Sequence, residues 1–440
     1  MRLSRPLAAF ACVASVIATS AALPSAQGVG YPHGVVVSDN PVNYTPHALD
    51  GTVRAIATVG NVVYVGGTFT KVTNAGSTTQ LTRGYLFAFN RTSGEVLLDF
   101  APVLDGVVET IAPGPNGSII IGGRFKTVDG AAQRSLAMLG ADGRRVATFS
   151  AKTDGYVTKA LVRGTRLIVG GRFSFANGAS RSNLAAFNAT SGTLDGALNI
   201  PVTIGRTKSD GTATAAAIQE MDATADGTRL VVVGNFRRVG GELRQQIALI
   251  NLAGNTVSPW FTNRYPNDVA RSKQAFHCYE VFDTQMRDVE FAPSGDYFVV
   301  VTTGGAPDFN KTSLCDTTAR WDTTAVVGAG GALERWKNCT GGDTLYSTAV
   351  TPAAVYIGGH QRWLDNCGGR DSAVPGSFAA PGIGAIDPQT GLAIRSWNPG
   401  RTRGVGAEEL LAEAEGLYIG SDTDRLAEEY HARLGLFPLP

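Results

Sequence analysis

A short run of β-branched and aliphatic residues closing on glycine recurs seven times along this 440-residue chain. It stands first as Val62-Val63-Tyr64-Val65-Gly66-Gly67 and returns at 119–123, 167–171, 230–234, 298–302, 355–359 and 417–420, the fifth copy closing on Val301-Thr302. The residues that close the runs lie 48 to 68 apart. Such spacing is too irregular for the tight coils of a solenoid and suits repeated units joined by variable loops. No helix follows the paired glycines, which argues against a phosphate cradle. A position without Cβ serves instead where a neighbouring sheet approaches closely, or where a bulge ends a strand.

Each copy carries the same surroundings. A strand and turn precede it, as in Thr52-Val53-Arg54-Ala55-Ile56-Ala57 before Gly60-Asn61. An aromatic follows at Phe69, Phe125, Phe173 or Phe236, then a third strand such as Tyr85-Leu86-Phe87-Ala88-Phe89. A Thr-Ser-Gly turn then leads to a fourth strand, as in Glu95-Val96-Leu97-Leu98-Asp99-Phe100. Four strands joined by glycine-rich turns describe one propeller blade. The expected fold is therefore all-β, a single seven-bladed β-propeller of four-stranded antiparallel blades. The last repeat stops at a third strand, 433–437, whereas 34–46 resembles the segment 98–102 that closes the first repeat. The N-terminal strand is expected to complete the last blade and close the ring, removing its exposed edges.

Arg2 and Arg5 precede an apolar stretch over 7–22, followed by Leu23-Pro24-Ser25-Ala26-Gln27. This reads as a secretory signal peptide cut after Ala22 or Ala26, leaving 27–440 as the propeller. The apolar run falls short of the ~18 residues of a membrane-spanning candidate. The expected location is extracellular, without membrane insertion. Removing Arg2 and Arg5 takes the formal net charge from +1 to −1, which gives no electrostatic footprint for nucleic acid. With 54 glycines and only 17% charged residues, the composition suits short strands and turns.

Four cysteines follow the leader, Cys278, Cys315, Cys339 and Cys367. In an oxidising compartment they favour two disulfides, and three connectivities are possible. Cys278–Cys315 and Cys339–Cys367 are expected, because sequence neighbours within one blade are spatial neighbours. Zinc is the competing reading, without Cys-x-x-Cys spacing to support it. The five histidines are scattered, so no metal or cofactor is expected.

Polar residues entering an innermost strand are expected to face the central channel, which singles out Glu220, Arg287, Asp343, Tyr346 and Glu408. His360, Arg362 and Trp363 replace the usual Arg/Thr-Phe after the paired glycines, and Asp422 and Asp424 hold the matching place in the seventh repeat. The competing structural role is turn fixing, in which such side chains bind backbone N–H groups. Six Asn-x-Ser/Thr sequons occur, several of them in repeat turns. Serine-hydrolase, metalloprotease and sialidase signatures are missing.

The recurrent Val-Gly-Gly-Arg-Phe cores, the stretches 288–296, 341–346 and 358–363, and the closing segments 396–400 and 420–424 resemble the secreted delta-60-repeat β-propellers of actinobacteria. The resemblance spans nearly the whole mature chain and implies a propeller and export, but no reaction. Cys339 and Cys367 depart from that pattern and imply an added staple. The paired glycines are also similar to kelch repeats, but most copies lack the Tyr and Trp that follow there. Two functions follow as expectations: a monomeric extracellular binding module for a glycan, peptide or surface partner, or a hydrolase or lyase using Asp343, His360 and Glu408.

Overall fold

The computed structural model describes residues 31–207, 211–265, 284, 286–304, 317–325, 328, 330–369 and 372–440. The expected signal peptide, Cys278 and Cys315 lie outside these residues. Within them the protein is all-β, with one 3₁₀ turn at Pro115–Gly117 and no helix long and apolar enough to cross a membrane.

The repeats form antiparallel sheets in chain order. Their innermost strands are Val53–Val59, Val108–Pro113, Tyr156–Arg163, Ala217–Ala223, Met286–Phe291, Leu345–Val350 and Ala407–Glu413. Each pairs with the glycine-closing strand, which pairs in turn with a third. Consecutive innermost strands touch, and Ala407–Glu413 also touches Val53–Val59. Buried aliphatic side chains between the sheets make the core.

A fourth strand is present in the fourth and fifth sheets, as Thr256–Val257 and Trp336–Cys339. In the first, second, third and sixth it shrinks to an isolated bridge, such as Phe89 with Val96. An outermost strand has one neighbour and little to bury. Val96 is buried, but Leu98, two residues on, is 64% exposed.

Between the second and third strands, six sheets insert a small hairpin that the sequence reading did not anticipate, for example Phe175–Ala176 with Ala179–Ser180. Phe69, Phe125, Phe173 and Phe236 are buried at the start of these insertions.

The glycine signature has a clear cause. Every innermost strand carries a register shift near its start, between Val53 and Ala55 in the first sheet and at the equivalent place in the other six. Such a β-bulge places two residues opposite one. In the first sheet Gly66-Gly67 lies opposite the bulge. A Cβ on Gly67 would run into the Thr52 carbonyl oxygen, and one on Gly66 would sit 2.7 Å from Val108 Cγ1 of the next sheet. Gly420 stands in the same relation to Val53, 2.6 Å from its Cγ1. The register also shows that Gly66 corresponds to Val233 and Val301 in the fourth and fifth sheets, one residue before the closing Gly234 and Thr302.

The N-terminal segment runs beside the last strand, Leu434–Pro438. Val42 N donates to Leu436 O at 2.9 Å and Ser38 N to Pro438 O at 2.7 Å. The same bond links outer segment to third strand elsewhere, as Leu97 N to Ala88 O and Ile394 N to Ala385 O, both 2.8 Å.

Cys339 and Cys367 form a disulfide with a Cα–Cα distance of 4.7 Å. The expected pairing holds, but its rationale does not. Cys339 ends the outermost strand of the fifth sheet, whereas Cys367 lies in the insertion of the sixth, so the bond staples two sheets together.

Candidate functional site

The residue skipped at each bulge is Arg54, Glu109, Thr158, Gln219, Arg287, Tyr346 or Glu408, one from each of the seven innermost strands. All seven line a single cavity of about 240 Å³, with Glu220, Tyr156 and Arg124 completing its wall. A bulge re-aims a side chain that would otherwise follow the pleat. Here its repetition turns seven sheet edges into one polar mouth.

Four of the residues expected to face the channel, Glu220, Arg287, Tyr346 and Glu408, meet in this cavity. Sequence reasoning missed Arg54, Glu109, Thr158, Gln219, Tyr156 and Arg124. No sequence pattern marked them: the bulge, visible only in the strand register, brings Gln219 to the cavity beside Glu220.

Each carboxylate in the wall has a cation. Arg54 Nη1 lies 3.1 Å from Glu109 Oε2, and its Nε lies 2.9 Å from Glu408 Oε2. Arg124 Nε holds the other Glu109 oxygen at 2.7 Å, and Lys159 Nζ holds Glu220 at 3.0 Å. Burial pushes Glu220 up to about 7 despite Lys159, and raises Glu408 despite Arg54. Arg287 donates to Thr303 Oγ1 at 3.0 Å, and its guanidinium carbon lies 5.3 Å from the Tyr346 ring centre. Arg124 covers Tyr156 in the same way at 4.0 Å. Among the described residues neither tyrosine hydroxyl makes a protein hydrogen bond, and burial raises the Tyr346 phenol.

Below the mouth, side chains satisfy the open inner edges of the sheets. Ala160 N donates to Thr110 Oγ1 at 3.1 Å, Thr348 N to Asp288 Oδ2 at 2.8 Å and Phe291 N to Asp222 Oδ2 at 2.7 Å, each bond crossing from one sheet to the next. Val350 N and Ile56 N likewise serve Glu290 and Glu409. An unpaired backbone donor is costly to bury, and this ladder supplies its acceptors. Burial raises all these carboxyls, Asp222 to about 7 and Glu409 to about 8. Lys159 faces Glu220, Glu409 and Asp288, which together outweigh its burial and raise its pKa.

Asp343, His360, Arg362, Trp363 and Asp422 are not among the cavity-lining residues. Asp343 grips Arg362 Nε at 2.9 Å and Nη2 at 3.1 Å, with Arg403 Nη2 at 3.4 Å. Arg362 also lies over the Trp363 ring at 4.5 Å. His360 Nδ1 meets Val405 O at 3.0 Å, and its ring lies 6.2 Å from that of Tyr346. Asp422 accepts from Val405 N and Gly406 N at 2.6 and 3.0 Å, which is turn fixing. The backbone carbonyl of Asp424 accepts from His431 N.

Asn90 and Asn188 cap the Thr-Ser turns through their side-chain oxygens. Asn338 is buried and donates to Asp365 and Gly391. No group of three or more His, Cys, Asp or Glu suited to a metal occurs among the described residues.

A β-propeller domain family of unknown function, DUF5122, matches residues 166–196. No curated protein matches the chain. The crystal structure of the computationally designed Ika8 protein is similar over 94% of this chain and 100% of that one, with 10% identity and a TM-score of 0.44. The all-β architecture and the family match together indicate a propeller-type fold.

Proposed function

We propose that this chain is an exported seven-bladed β-propeller of the delta-60-repeat type, closed by its N-terminal segment, that binds an extracellular glycan at its mouth cavity. Closure draws support from the bond of Val42 N to Leu436 O, which repeats the outer-strand bond of the other sheets. Contact between the seventh and first innermost strands agrees with it.

The observation that carries the glycan reading is the convergence of the seven bulge residues with Tyr156 on one cavity. Phenol rings offer apolar faces with a polar tip, and fixed Arg–Glu pairs offer planar donors and acceptors. A volume near 240 Å³ lies below the roughly 300–1,000 Å³ of drug-sized sites and suits a sugar unit. A peptide adding as a strand would need open backbone edges, and neighbouring side chains occupy those at Thr348, Phe291 and Ala160.

Binding and turnover scored separately on a panel of soluble glycans and peptides test the reading. Saccharide binding lost in Tyr156→Ala and Tyr346→Ala, with no turnover, is the expected result. Peptide binding alone, or saccharide binding indifferent to both substitutions, would overturn it. The hydrolase reading keeps one observation in its favour: Glu220 near 7 and the raised Glu408 share this wall. Turnover abolished by Glu220→Gln or Glu408→Gln would establish it.

A further inference from the structure

Three of the five histidines in the chain, His33, His47 and His431, sit where the N-terminal segment meets the last sheet. All three are buried, with exposures of 2%, 8% and 2%. His33 Nε2 donates to Glu413 O at 2.6 Å, which fixes its tautomer and leaves Nδ1 as a bare lone pair. That Nδ1, His47 Nδ1 and His431 Nδ1 are buried without a hydrogen bond among the described residues, while His431 Nε2 faces Glu429 Oε2 at 3.5 Å. The His47 and His431 rings are 6.4 Å apart, and Tyr430 stands against His47 at 4.8 Å.

We propose that this seam is an acid-sensitive clasp, in which protonation of the three imidazoles releases the N-terminal segment from the last sheet while the remaining sheets stay folded. A proton on His33 Nδ1 creates a buried donor with no acceptor, and protons on His47 and His431 bring two cations together. The charged groups around them offer little relief. Arg433, whose guanidinium donates to Ala48 O and Gly51 O, and Lys71, on the strand paired with His47-Ala48, add positive charge. Glu429 lies 3.5 Å from His431 but is 45% exposed. Glu415 near His33 is already held by Arg91, as is Glu413, while Asp50 is engaged by the Thr70 and Lys71 backbone. Burial lowers all three histidines, His47 to about 4. Their neutral forms therefore support the seam above about 6.5, and that support is lost as pH falls toward 4.

The seam has its own reporter, because Trp397 Nε1 donates to Ser38 O at 3.1 Å. Amide exchange of the purified protein at pH 7.5 and 4.5, corrected for intrinsic rates, tests the clasp at Val42 and Ala48 against Val169 of the third sheet. Protection at Val42 and Ala48 is expected to fall at least about tenfold more than at Val169, equivalent to about 1.4 kcal/mol. The difference should shrink in His47→Gln/His431→Gln. Equal loss at all three sites, no loss at the seam, or an unchanged response in the double variant would each overturn the clasp. Should that variant fail to fold, wild-type histidine NMR titrations decide: midpoints must coincide with the shift of the Trp397 indole signal, and separate midpoints reject the proposal.

Discussion

Asp288 of the fifth sheet accepts a hydrogen bond from the backbone N–H of Thr348 in the sixth, 2.8 Å away, through the oxygen that does not serve its own neighbour Val289. An innermost strand is a sheet edge, and its donors need acceptors that its own sheet cannot supply. Here the adjacent sheet supplies one as a side chain.

Removing that acceptor leaves two backbone donors unmet. Asp288→Ala is expected to destabilise the protein by about 2 kcal/mol, and Asp288→Asn by less than about 1 kcal/mol, because the amide keeps one acceptor oxygen. Urea unfolding of the two variants checks the order.

Glycines in the first repeat respond to added volume according to place. Gly67→Ala drives a methyl group into the Thr52 carbonyl and is expected to cost about 1–3 kcal/mol. Gly84→Ala meets nothing within 4 Å and is expected to stay within about 0.5 kcal/mol of the parent. Paired thermal melts compare them.

The staple between the fifth and sixth sheets closes 28 residues. Cys339→Ser/Cys367→Ser is expected to lose up to about 3.5 kcal/mol on the chain-entropy account. Exchange should rise first near Trp336–Cys339 and Trp363–Leu364. A uniform rise across all sheets would contradict a local staple.

Buried carboxyls of the innermost strands impose a pH dependence of opposite sign to that of the seam. Asp222 near 7 and Glu409 near 8 stand above their unfolded values, so their contribution is present below about 4 and is lost as pH rises through 7 to 8. Melting temperature is expected to rise as pH falls from 8 to 6.5, and the slope to flatten in Glu409→Gln, which keeps an acceptor for Ile56 N. A slope equal to that of the parent would place the titration elsewhere.

Much of the site lay one residue away from what the sequence made visible. Alternation along Ile218-Gln219-Glu220 points to Glu220, and Glu220 does line the mouth, but the bulge also carries Gln219 there. Nothing in the sequence singles out Arg54 or Glu109, which a shared register shift at their sheets' edges brings to the cavity. Asp343 and Asp422 stood out because their neighbours are unusual, and they organise loops.

By itself the sequence determined the strand runs, their sevenfold recurrence and the turn chemistry, because these rest on local periodicity and backbone preference. Tertiary structure alone decided that seven bulge residues share one cavity. It also decided that acids of the innermost strands serve the backbone of the next sheet, that Cys339 and Cys367 pair across two sheets, and that three histidines meet at one seam. Each depends on which edges face each other across separations such as the 355 residues from Thr58 to Glu413, a distance over which no local pattern carries information.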